Sequence, residues 1–196
     1  MKERPIIFSS QMVRAILDGR KTQTRRLVKE TRCPYGEVGD RLWVRETWAP
    51  YRDACPGQVL GAPVYRATWP PTLDERHDAG LLQEPARWRP SIHMPRGVSR
   101  ITLEITAIKL EQLKDISDTD VLAEGIEEVE SGGPPYWYGY AVNDPEMRAE
   151  DITGSPRSAF MLLWDKINGK RAPWSSNPWV WALSFRVLEA GRRGTR

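Results

Sequence analysis

The period-two alternation of residues 100–109 constrains this chain more than any other feature. Ile101, Leu103 and Ile105 fall on one side and Arg100, Thr102, Glu104 and Thr106 on the other, the pattern of a strand with one apolar face. Residues 179–188 repeat it with Trp181, Leu183, Phe185 and Val187. Residues 41–48 follow a Gly39-Asp40 turn signal and read as a third strand. Residues 22–27, with threonines at alternate positions, read as a fourth. Pro5 has no N–H for a strand ladder, so the first strand is expected to begin at Ile6.

Three short helices are expected between these strands. Ser9 or Ser10 caps one whose Met12, Val13, Ile16 and Leu17 share a face, and Gly19 ends it. Ser117, with Asp120 three residues on, opens a second that stops at Gly125. Ser155-Pro156 opens a third, with Phe160, Leu163, Trp164 and Ile167 at helical spacing and Gly169 at its close. Alternating strands interspersed with short helices predict an α+β fold, a small β-barrel in place of a parallel sheet.

At 196 residues, 40% hydrophobic and 28% charged, the chain suits one domain with a real core. Residues 50–95 hold eight of the 16 prolines, a long Pro-rich insertion in which only 64–68 look strand-like. A loop is expected over 131–155 and a short basic tail from about residue 189. No apolar run approaches the roughly 20 residues that span a bilayer, and Ile6-Ile7-Phe8 is too short for a signal-peptide core. A cytoplasmic protein with reduced cysteines follows as the expectation. The charge is unevenly spread. Residues 1–32 carry nine Lys/Arg against three Asp/Glu, whereas residues 111–151 carry two against twelve. That asymmetry suggests a bipolar surface whose basic end attracts a polyanion.

The segment richest in chemistry is 19–26, at a helix-to-strand turn. Lys21 and Arg26 beside Thr22 and Thr24 suit a phosphate or a carbonyl oxygen. A partly desolvated lysine can also deprotonate a neighbouring hydroxyl, and a solvated basic strand edge is the plainer reading. At the end of the 41–48 strand, Arg45, Glu46 and Trp48 form a second group: Glu46 can pair with Lys21 or Arg26, and Trp48, like Trp88, offers a face on which a base can stack. His93 and Arg96, leading into the central strand, can hold a phosphate or serve only to fix their loop. Trp43, Trp164 and Trp181 sit at core-like positions. Cys33, Cys55, His77 and His93 lack any short ligand spacing, so no metal and no cofactor is expected. No phosphate-binding loop, dinucleotide fingerprint, nucleophile elbow or metalloprotease motif occurs.

Gly19-x-Lys21-x-x-Thr24-x-Arg26 resembles the signature of the ASCH superfamily, which is similar in fold to the PUA RNA-binding domains. The 33–36, 39–48, 91–95 and 177–179 segments resemble the larger ASCH-like proteins of phages and prophages, over Pro5 to about Val187. The resemblance implies a single PUA-like domain that binds RNA or a nucleoside- or nucleotide-derived ligand. Some small members are amidohydrolases of N4-acetylcytidine that use a lysine, a threonine and a glutamate. Lys21 and Thr24 match the first two, and Glu124, on the helix after the central strand, is the counterpart of the third. On that reading Thr24 attacks an amide carbonyl, Lys21 takes its proton and Glu124 assists the leaving amine. A ribonuclease, or a phage-associated protein interaction module using the acidic 111–151 face, are the other readings, with the oligomeric state left open.

Overall fold

A computed structural model describes residues 1–50, 63–69, 85, 87–129, 135–138 and 152–190. Cys55, His77, most of the Pro-rich insertion, much of 131–155 and the end of the basic tail lie outside the described residues. In chain order the elements are β1 (Glu3–Ile7), α1 (Ser10–Leu17), β2 (Gln23–Leu27), β3 (Arg41–Arg45), β4 (Trp48–Ala49) and β5 (Val64–Tyr65). There follow β6 (Ile101–Gln112), α2 (Asp118–Ala123), β7 (Glu127–Val129), β8 (Tyr136–Tyr138), α3 (Pro156–Asn168) and β9 (Trp179–Ala190). The fold is mixed α+β, with three α-helices among the described residues. None of these is long and apolar enough to cross a membrane.

Five strands form one sheet in the order β1-β3-β6-β9-β2. Every pairing is antiparallel except β1 with β3. The sheet does not close into the expected barrel. β1 and β2 are its two edges, joined by a side chain: Arg26 donates from β2 to the Ile7 carbonyl on β1 at 2.7 Å. Pro5 lies inside β1, against expectation. The Lys2 carbonyl and the Phe8 N–H bond to β3, so even-numbered residues face the partner strand. Pro5, being odd, turns its missing donor toward the open edge, where nothing is lost. The long β6–β9 pair carries two register shifts, at Thr102/Leu103 and Ile105/Ala107, which sharpen its twist.

The alternation of β6 is realised as read, with Ile101, Leu103 and Ile105 fully buried. They pack with Phe8, Val13 and Ile16 in one core, each such side chain contributing about 1.5–3 kcal/mol on burial. Helix caps also follow the sequence: Ser9, Ser117 and Ser155 accept from the N–H groups of Met12, Asp120 and Ser158. The 41–48 strand is interrupted. β3 stops at Arg45, and Trp48 leaves the main sheet to pair with Tyr65 and Arg89. Trp164 is core, while Trp43 and Trp181 are half-buried.

Candidate functional site

Helix α1 ends at a left-handed Gly19 (φ 76°), a conformation that glycine adopts without strain. The chain then turns, and the Lys21 N–H bonds to the Ala15 carbonyl at 2.9 Å. A β-bridge joins Lys21 to Glu124 at the end of α2, and the Thr22 N–H donates to the Ala123 carbonyl at 2.8 Å. These backbone bonds, linking positions about 100 apart in sequence, place the lysine and the glutamate together.

Lys21 is 1% exposed and Glu124 4%. The Lys21 Nζ lies 2.6 Å from Glu124 Oε2 and donates also to the Glu124 carbonyl at 2.8 Å. Burial pulls the Lys21 pKa below the usual lysine range, against the attraction of Glu124, and the nearby Arg26 and Arg25 pull the same way. Thr24 is 1% exposed on β2. Thr24, Arg25, Arg26 and Glu124 form the polar side of a cavity of about 20 Å³, with Met12, Phe160, Leu163 and Trp164 among its apolar side. That volume admits a water molecule or a small group such as a carbonyl.

Arg25 is the residue that sequence reasoning missed. Its guanidinium reaches Glu111 Oε1 from Nε (2.9 Å) and Nη2 (2.7 Å), Asp120 Oδ2 (3.2 Å), Glu124 Oε1 (3.2 Å) and Gln23 Oε1 (2.6 Å). Lys109 Nζ completes the cluster, 2.7 Å from Glu111 Oε2. Three cations thus face three carboxylates. Part of the expected bipolar surface is therefore an internal network: Glu111, Asp120 and Glu124 are paired with Lys21, Arg25 and Lys109. That imbalance was the available signal, because a strongly acidic segment needs cationic partners somewhere in a folded chain.

No protein-family model, no curated protein and no solved structure matches the chain. What the site can do is therefore argued from its geometry.

The other expected site residues are placed apart from this cluster or turned to structural use. Arg26 is half-buried against the Phe8 ring, 5.1 Å from its centroid, at the seam between β1 and β2. Glu46 does not meet Lys21 or Arg26. It is buried in a two-pronged pair with Arg100, at 2.9 and 3.0 Å. Arg45 donates to the carbonyls of Met94 and Ile92 and lies over the Trp43 ring. Trp48 is 6% exposed, with Arg89 5.0 Å from its ring centroid. Trp88 packs edge-on against Trp69 at 5.6 Å, with Arg66 stacked on it. Neither indole offers an open platform. His93 is exposed on a short turn, and Arg96 pairs with Glu3 at 2.9 Å. Among the described residues no group of three His, Cys, Asp or Glu could hold a metal ion. Cys33 is half-buried, and burial pushes its thiol pKa up.

Proposed function

We propose that this chain is an ASCH-type, PUA-like domain that hydrolyses an amide on a modified nucleoside or on RNA. Lys21, Thr24 and Glu124 are its working residues. The observation that carries the reading is the buried contact of Lys21 Nζ with Glu124 Oε2, with Glu124 and Thr24 lining one small cavity. Buried ion pairs add little stability by themselves, so a desolvated lysine whose carboxylate partner lines a cavity together with Thr24 is better accounted for by chemistry. The five-stranded sheet of a mixed α+β fold, with its edges joined by Arg26, supports the PUA-like part.

The carbonyl enters the cavity lined by Thr24 and Glu124. Thr24 Oγ1 attacks the carbonyl carbon, and neutral Lys21 accepts the hydroxyl proton. The C–N bond breaks as that proton passes to the leaving amine, with Glu124 holding the lysine in place. Water then cleaves the acyl-threonine ester and restores the hydroxyl. Because burial lowers the Lys21 pKa, the neutral form is reached at lower pH than for a solvated lysine, and turnover rises with pH through that value.

Simple phosphate binding is less well supported. It calls on Lys21, Arg26 and Arg96, yet Lys21 is buried, Arg26 is bonded to the Ile7 carbonyl and Arg96 to Glu3. The test is turnover of N4-acetylcytidine and of a panel of single-stranded RNAs by wild type and Lys21→Ala, with binding recorded in parallel. Loss of product by about 100-fold or more in the variant is expected. Equal turnover by both proteins would overturn the assignment, and salt-sensitive binding without product would favour an RNA-holding module.

A further inference from the structure

We propose that Arg25 is a positioning residue that aims Glu124 at Lys21, an inference that rests on the hydrolase reading. A carboxylate has two oxygens and rotates freely about its last torsion. Here Glu124 Oε1 is held by Arg25 Nη1 at 3.2 Å, which leaves Oε2 for Lys21 Nζ at 2.6 Å. Arg25 is itself fixed. Its side chain is 1% exposed, and its planar fork is shared with Glu111 on β6 and Asp120 on α2. Asp120 is fixed in turn by Gln23 Nε2 at 3.1 Å. Three elements thus hold one guanidinium, and that guanidinium sets the angle of one carboxylate. A lysine in place of Arg25 keeps the charge but supplies no fork.

The charged groups facing Lys21 are Glu124 from the end of α2 and Arg25 and Arg26 from β2. Arg25 therefore acts on Lys21 twice, as a nearby positive charge that opposes its protonation and as the anchor of its acceptor.

Two variants separate these effects from folding. Arg25→Gln combined with Glu111→Gln removes one cation and one carboxylate, keeping the balance of the cluster, and Arg25→Lys keeps the charge alone. Each is checked by circular dichroism and melting. The exchange of Lys21 ammonium protons with water is then read by heteronuclear NMR, together with kcat and KM on N4-acetylcytidine. The double variant is expected to exchange these protons at least tenfold faster. Its kcat should fall about 10–100-fold, the scale of a misplaced catalytic group, with KM little changed. Arg25→Lys should lose kcat similarly while remaining folded. If the double variant does not fold, Arg25→Lys decides: wild-type exchange and kcat would overturn the proposal. Unchanged exchange in a folded double variant would overturn it too. Ammonium exchange needs no substrate. A wild type without turnover would remove the hydrolase reading, while the role of Arg25 would still stand or fall on exchange.

Discussion

Arg100→Met is expected to destabilise the protein severely, although the residue lies outside the proposed site. The Arg100 Nε and Nη2 hold both oxygens of Glu46 at 2.9 and 3.0 Å, Nη1 donates to Thr68 at 3.0 Å, and the guanidinium lies 4.0 Å from the centroid of the Tyr65 ring. Glu46 is 1% exposed. Methionine keeps most of the apolar stem and leaves the carboxylate buried without its cation. Breaking such a pair from one side costs about 3–5 kcal/mol. For a domain of this size that corresponds to a fall in Tm of roughly 6–20 °C. Adding Glu46→Gln should recover most of the loss, because the double variant no longer buries a lone charge. Burial already raises the Glu46 pKa, against the pull of Arg100, and the variant raises it further. A carboxyl whose folded pKa lies above its unfolded value stabilises the fold when protonated and loses that contribution as pH rises through the folded pKa. The deficit of Arg100→Met should therefore be largest near neutral pH and shrink as the solution is acidified. Urea unfolding of the four proteins of the cycle, at pH 7 and pH 5, measures both. A single-variant cost below about 1 kcal/mol, or a deficit independent of pH, would refute the reasoning.

Two further outcomes follow from buried groups. Burial pushes the Tyr65 pKa up to about 12, with Glu46 adding to the rise and Arg100 opposing it. Stability should be lost as pH climbs from about 10 toward that value. A late step in the tyrosinate absorbance should vanish in Tyr65→Phe, and superimposable titrations would contradict it. Gly125 has φ 94°, and an added Cβ would stand 3.1 Å from Ala15 Cβ and 3.2 Å from Lys21 Cβ. Gly125→Ala should cost about 1–3 kcal/mol, the left-handed penalty plus crowding. It should also displace Lys21 and depress turnover. A variant that melts with the wild type would show the turn to be more tolerant than its geometry indicates.

The sequence was most legible where a period or a cap is local. β6 and β9 follow from alternation, and α1 follows from Ser9, Gly19 and the spacing of Met12, Val13 and Ile16. Lys21, Thr24 and Glu124 were singled out only through the resemblance to the ASCH signature, since local pattern alone made 19–26 a basic strand edge. Arg25 was missed for a physical reason. Alternation puts it on the face opposite Thr24 and Arg26, which reads as solvent-facing, but the end of β6 and helix α2 cover that face, and β2 is buried on both sides. Glu46 was read as a cleft residue because its partner, 54 positions away, carries no sequence mark tying the two together. A closed barrel was expected because strand patterns show neither edges nor closure, and the sheet is open. Pro5 was taken to precede the first strand, which instead carries it inside Glu3–Ile7, on the free edge of the sheet.

The open edge and the buried charges belong to one design problem. On the proposed reading Lys21 must give up its proton, and the burial that lowers its pKa also makes its carboxylate partner costly whenever the lysine is neutral. Were Glu124 paired with Lys21 alone, each loss of the proton would leave a buried anion without a cation. Arg25 removes that difficulty, because its guanidinium gives Glu124 Oε1 a second cationic partner at 3.2 Å. Glu111 and Asp120 balance the added charge, and Lys109 tethers Glu111 to solvent. With Lys21 neutral the network holds two cations against three carboxylates, and on the proposed reading Arg25 still leaves Glu124 with a cationic partner.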